Sequence, residues 1–213
     1  DFAEIDVQLT KDLVPVIIHD DTLDRTSNVS TIETFKDRTP WRVSDFTLEE
    51  LENLDLGSWF NGEYESILTL EKALSFAKEA ELSLNVEIKD MSNTFSDDIV
   101  VEIIIELIKK TRTEHLVLLS SFYHHYLPIC KKLSPYIPTA ALQAYKQPKD
   151  LINYLHTFQV DAYHPEDKIT NKKTVEEVRN AGFFVNVYTV NEPKRQKELF
   201  EWGVNGIFTD YLD

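Results

Sequence analysis

Cysteine, glycine, methionine and basic residues are all scarce in this 213-residue chain, and each shortage excludes something. With one cysteine, Cys130, neither an intramolecular disulfide nor a cysteine-built zinc cluster can form. Five glycines leave no glycine-rich phosphate turn after a first strand, which an open nucleotide-binding sheet would need. Lys and Arg number 22 against 37 Asp and Glu, a net charge of −15. That balance speaks against a nucleic-acid partner, since phosphate-backbone binding draws on clustered cations. A small phosphate ligand, which asks for only one or two local cations, remains compatible. The most apolar run, Ile99 to Ile108, is broken by Glu102 and Glu106 and is too short to cross a membrane. No basic stretch leads into an apolar core, so no signal peptide is visible. The lone methionine is Met91, and a chain opening on Asp1 is expected to have lost or left out something upstream.

What is present suits a packed α/β protein: 42% of residues are hydrophobic and 11% aromatic. Strands are expected at 3–8, 83–89, 115–122, 138–143, 160–164, 183–189 and 206–210. Helical patterns lie between them at 69–81, 95–110, 123–133, 148–158, 171–181 and 192–202. Asn191 is expected to cap the last helix ahead of Pro193, and Gly182 and Gly203 stand where helices should end. Strands and helices that alternate in this way imply a parallel sheet covered by helices. Seven βα units suggest a TIM (β/α)8-type barrel that lacks its first unit in these residues, within one domain over 1–213. On that count a strand edge is left open, with room for an oligomer or strand pairing with a second chain.

One segment breaks the rhythm. From Thr10 to Leu68 nothing regular repeats, apart from a β-like run at Val14–His19 and a short helix opened by the capping box Thr47–Glu50. So long an excursion reads as a functional insertion.

The chemistry sits on the early strands. In Glu4-Ile5-Asp6 the two carboxylates share one strand face, and Glu87 and Lys89 share a face on the next inferred strand. Carboxylates converging there would repel one another unless a cation neutralised them, and three oxygen ligands suit Mg²⁺ or Ca²⁺. His19 leaves a buried strand at a loop mouth, where it either transfers protons or simply caps the strand. Lys89 either pairs with Glu87 or holds a phosphate as a point charge. Tyr188 shares a face with Asn186 and either walls a small polar ligand or packs in the core. His124 and His125 read as surface residues at a helix start, His164 either lines the site or is structural, and Cys130 reads as a buried hydrophobe. The stripe Ile103, Ile104, Leu107 and Ile108 reads as a buried helix face.

The blocks EIDVQLTKDLVPVIIHDDTLDRT, NVEIK, LLSSF, VNVYTVNE and GVNGIFTDY resemble, in order and over nearly the whole chain, the glycerophosphodiester phosphodiesterase family. The resemblance implies a TIM barrel with a small insertion after its second strand, matching 10–68. It implies one divalent metal held by Glu4, Asp6 and Glu87, with His19 as one of two acid/base histidines. Lys89 and Tyr188 match positions near the phosphate and the glycerol. The family's first strand, with its His-Arg pair and a following Glu-Asn-Thr, has no counterpart here. Tyr188 stands where tryptophan is common, and Leu212 where proline is.

The implied activity is metal-dependent hydrolysis of a small-molecule glycerophosphodiester to glycerol 3-phosphate and an alcohol. Two alternatives stand beside it: a catalytically silent barrel binding a phosphorylated ligand or partner, and a phospholipase D-like enzyme acting on lysolipids. One cysteine and no visible signal lean towards a cytoplasmic protein.

Overall fold

The computed structural model describes residues 2–211, so Leu212 lies outside the described residues. The chain divides into two compact units, 1–117 and 118–213.

In the first unit, β1 (Phe2–Leu9) carries the acidic pattern, and β2 (Pro15–Ile17) folds back on it antiparallel, with Val7 opposite Ile17 and Leu9 opposite Pro15. The edge of β1 expected to lie open is therefore covered along its second half. The insertion continues through three short 3₁₀ turns, α1 (Leu48–Leu51) and α2 (Ser58–Asn61), then β3 (Leu68–Thr69), which pairs antiparallel with β2. It is not a loose loop. Val16, Leu23, Val29, Val43, Phe46, Leu51 and Leu54 are all wholly buried in a core of their own, which supports a structured excursion. The capping box forms as expected: Glu50 N–H donates to Thr47 Oγ1 and Thr47 N–H donates back to Glu50 Oε2.

Thr69 then caps α3 (Leu70–Glu79), and β4 (Ser83–Ile88) pairs parallel with β1 over six residues. The long α4 (Asp97–Thr111) has Asp97 and Asp98 in its first turn and Lys109 and Lys110 in its last, matching the helix dipole. Its buried stripe is turned slightly from the expected one. Val101, Ile104, Ile105 and Ile108 are buried, while Ile103 and Leu107 are only half-buried.

The second unit is a run of parallel strands with a helix in each connection. It comprises β5 (Val117–Ser121), α5 (Tyr126–Leu133), β6 (Thr139–Gln143), α6 (Leu151–Thr157), β7 (Ala162–Pro165), α7 (Lys172–Asn180), β8 (Phe184–Val187), α8 (Pro193–Glu201) and β9 (Gly206–Ile207). Alternation sorts its side chains. Ala141, Tyr163, Val185 and Val187 join the helices in one buried cluster, whereas His164 and Asn186 point to the opposite face and meet there.

Three local expectations change. Glu192 rather than Asn191 occupies the cap position of α8, because the Asn191 side chain is engaged with the C-terminal segment: its Nδ2 donates to Asp210 Oδ2 at 2.7 Å and its Oδ1 accepts from Asp210 N–H. His124 is buried, not on the surface. Its two ring nitrogens reach Leu142 O at 2.7 Å and Tyr154 Oη at 2.6 Å, and burial pushes its pKa down. Nine strands stand among the described residues: the seven expected, β2 within the expected β-like run Val14–His19, and β3, which was not expected. Gly182 and Gly203 do end helices, both at φ +94°.

Candidate active site

Parallel pairing of β1 with β4 assembles the acidic group. Asp6 is the register partner of Glu87, and Glu4 stands two residues earlier on the same face of β1. Carboxylate oxygens of Glu4, Asp6 and Glu87 lie within 4.8 Å of one another. Lys89, just past the end of β4, reaches two of the three: Nζ is 3.0 Å from Glu87 Oε1 and 3.3 Å from Asp6 Oδ1. The ion pair considered for Lys89 is thus formed, and its phosphate role would sit beside it.

Electrostatics show how crowded the cluster is. Glu4 is exposed to solvent, and the protein packed beside its carboxyl, followed by the charges of Asp6 and Glu87, raises its pKa. Burial raises Glu87 as well, against the pull of Lys89. Burial works against the charge of Lys89, but Glu87 and Asp6 outweigh it and the pKa is raised. One ammonium facing three carboxylates leaves a surplus of negative charge. A hard divalent cation with oxygen ligands fits this donor set.

His19 stands at the exit of β2. Ile18 N–H donates to Asp6 O at 3.0 Å, which fastens the residue before His19 to the acidic strand. The histidine side chain is 68% exposed and its charge is felt at Glu87. Sequence reasoning passed over three neighbours: Gln8, Asp20 and Arg25 all bind this segment. Only the spacing of Asp20 and Arg25, five residues apart in one loop, hinted at them.

In the second unit, Tyr188 follows the carboxyl end of β8 and bridges to Glu166. It meets Phe122 edge-on at 5.9 Å and Phe208 at 6.4 Å, forming an aromatic wall. His164 lies on the same sheet and is fully buried. It accepts from Asn186 Nδ2 at 2.9 Å, and burial pushes its pKa down to about 3, in keeping with a structural role. Cys130 is buried too, its thiol pushed up to about 12 by loss of hydration.

Comparison with known proteins gives a single answer. The model of the glycerophosphoryl diester phosphodiesterase family matches residues 1–213. A glycerophosphodiester phosphodiesterase of Bacillus subtilis strain 168 is 31% identical over 229 residues, spanning all of this chain and 74% of its own length. One from Caldanaerobacter subterraneus subsp. tengcongensis is 33% identical, spanning 99% of this chain and 82% of itself. Among solved structures, an Oleispira antarctica phosphodiesterase in complex with the product sn-glycerol-3-phosphate superposes with a TM-score of 0.87 at 28% identity. It covers 99% of this chain and 81% of its own. In sequence, in TIM-barrel fold and in the class of enzyme it represents, a phosphoric diester hydrolase, this chain belongs to the glycerophosphoryl diester phosphodiesterase family.

Proposed function

We propose that this chain hydrolyses glycerophosphodiesters to glycerol 3-phosphate and an alcohol with the help of one divalent cation. The observation that carries the reading is the group of Glu4, Asp6 and Glu87, held within 4.8 Å and joined by Lys89 on the segment that follows β4. Glu4, Asp6 and Glu87 would hold the cation, Mg²⁺ or Ca²⁺. When bound, it supplies positive charge against which a phosphate oxygen and developing negative charge are stabilised.

The chain's own residues do the rest. Lys89 is a point charge for a non-bridging phosphate oxygen, within reach because it already sits against Asp6 and Glu87. His19, protonated, gives its proton to the bridging oxygen as the alcohol departs. Tyr188 is assigned to the glycerol from its place past the carboxyl end of β8, where barrel enzymes gather substrate-binding groups. The small-molecule substrate is consistent with the product held by the Oleispira relative.

The test is direct. The full chain, freed of metal and then supplied with Mg²⁺ or Ca²⁺, is given sn-glycero-3-phosphocholine, and glycerol 3-phosphate is measured. Release that depends on the cation supports the proposal. No release with either cation refutes it.

A further inference from the structure

Proton transfer to a leaving alkoxide needs an imidazole with a defined hydrogen on a defined nitrogen, and the segment around His19 is built to supply one. His19 Nδ1 lies 2.7 Å from Asp20 Oδ1. Arg25 grips the same carboxylate from the other side: Nη2 donates to Oδ1 at 2.9 Å and Nε donates to Oδ2. These contacts, the Arg25 bond foremost, hold the Asp20 carboxyl down at about 2, so it is ionised throughout the working range. A carboxylate can only accept. The ring nitrogen facing it therefore carries the hydrogen, and Nε2 is left as the atom that gives or takes a proton.

The backbone under this pair is fixed as well. Gln8 is buried, and its side-chain Nε2 is within hydrogen-bonding reach of three successive carbonyls, Ile18 at 3.2 Å, His19 at 3.3 Å and Asp20 at 2.8 Å. Gln8 follows Asp6 by two residues on β1, so Glu4, Asp6 and Gln8 share one strand face. A single strand thus presents two of the proposed cation ligands and pins the segment that bears the proposed acid.

We infer that Asp20, clamped by Arg25 and seated on Gln8, is a positioning residue that fixes the His19 ring so that Nε2 faces the reaction as proton donor. The inference rests on the phosphodiesterase reading. In the step, an oxygen of water, or of a glycerol hydroxyl, bonds to phosphorus and gives its proton to solvent, the bridging P–O bond breaks, and protonated His19 passes the Nε2 hydrogen to the leaving alkoxide, giving the alcohol. The ring is left neutral with its remaining hydrogen on Nδ1, still donated to Asp20.

A merely structural Asp20 would affect every substrate alike, whereas a positioning role shows only where the leaving group needs a proton. The full chain is assayed on sn-glycero-3-phosphocholine and on glycerol 3-(p-nitrophenyl phosphate), whose aryl oxide departs without one. Asp20→Asn is expected to lower kcat on the choline ester by about 10²-fold or more, with KM and the aryl-ester kcat each within about threefold of wild type. His19→Gln should show the same selectivity, and His19→Gln with Asp20→Asn should be no worse than His19→Gln. Full choline-ester kcat in Asp20→Asn, equal losses on both esters, or additive losses in the double variant overturn the inference. Nitrogen-15 NMR of the wild-type His19 ring gives a readout that needs neither turnover nor a folded variant. The neutral ring should carry its hydrogen on Nδ1, and a hydrogen on Nε2 overturns the inference. If the wild-type chain hydrolyses neither ester, the phosphodiesterase reading falls and this inference with it. If wild type is active and His19→Gln loses choline-ester activity while Asp20→Asn does not, the inference alone falls.

Discussion

Placing three carboxylates within 4.8 Å of one another costs the cation-free protein stability, because like charges crowd together and Glu87 among them is buried. Glu87→Gln relieves part of that cost. We expect this variant to lose cation-dependent activity by about 10²-fold or more. Its cation-free melting temperature should match or exceed wild type, a comparison that thermal unfolding in chelator makes. Activity close to wild type would remove Glu87 from the cation's shell. His164 makes the opposite kind of prediction. Its folded pKa of about 3 lies below the unfolded value near 6.5, so its neutral form is the one the fold accepts. The sign follows: stability is fully present above pH 6.5 and is lost as pH falls towards 3. His164→Asn should flatten that part of the melting-temperature profile, and an unchanged slope would assign it to the carboxylates. Sequence could show Glu4 and Asp6 sharing a face, because strand alternation is local. It could not show His124 buried, because the partners that satisfy its ring, Leu142 and Tyr154, are 18 and 30 residues away.

Elements were readable wherever their determinants are contiguous. The Thr47–Glu50 capping box and the helix-ending Gly182 and Gly203 are local signals and stand as expected. β2 was readable as the β-like run Val14–His19, whereas β3 was not, since a strand of two residues exists only through its pairing with β2. Asn191 failed as a cap for the same reason: Asp210 competes for its side chain from 19 residues away. Two glycines separate the ways an element resists substitution. At Gly182 a Cβ would meet nothing within 4 Å, but φ is +94°, so Gly182→Ala should cost about 1 kcal/mol from backbone strain alone. At Gly57 the Cβ would lie 2.5 Å from Glu63 O and 2.7 Å from the Glu65 side chain, inside the insertion. Gly57→Ala should cost more, about 1–3 kcal/mol, because backbone must move to admit it. Denaturant melts of the two variants decide the order, and a Gly57→Ala protein as stable as Gly182→Ala would mean the insertion yields readily.

At the scale of the molecule, a net charge of −15 means that any cation stabilises this chain somewhat by screening repulsion between its carboxylates. A specific cation site must therefore be told apart from a general salt effect. The acidic group belongs entirely to the first unit, 1–117, and is held by the β1–β4 pairing that organises that unit. A cation bound there counts towards folding through mass action: at a hundred times its dissociation constant it contributes about 2.7 kcal/mol. For a protein of this length that corresponds to a rise of about 5–10 °C in melting temperature. We expect Mg²⁺ or Ca²⁺ to give such a rise over NaCl at matched ionic strength, and removal by chelator to reverse it. The rise should disappear in Glu87→Gln, which keeps nearly all of the protein's charge but removes one ligand. An equal rise in wild type and Glu87→Gln would mean that the cations act on the overall charge, and Glu4, Asp6 and Glu87 would then be an acidic cluster whose one direct cationic partner among the described residues is Lys89, on Asp6 and Glu87.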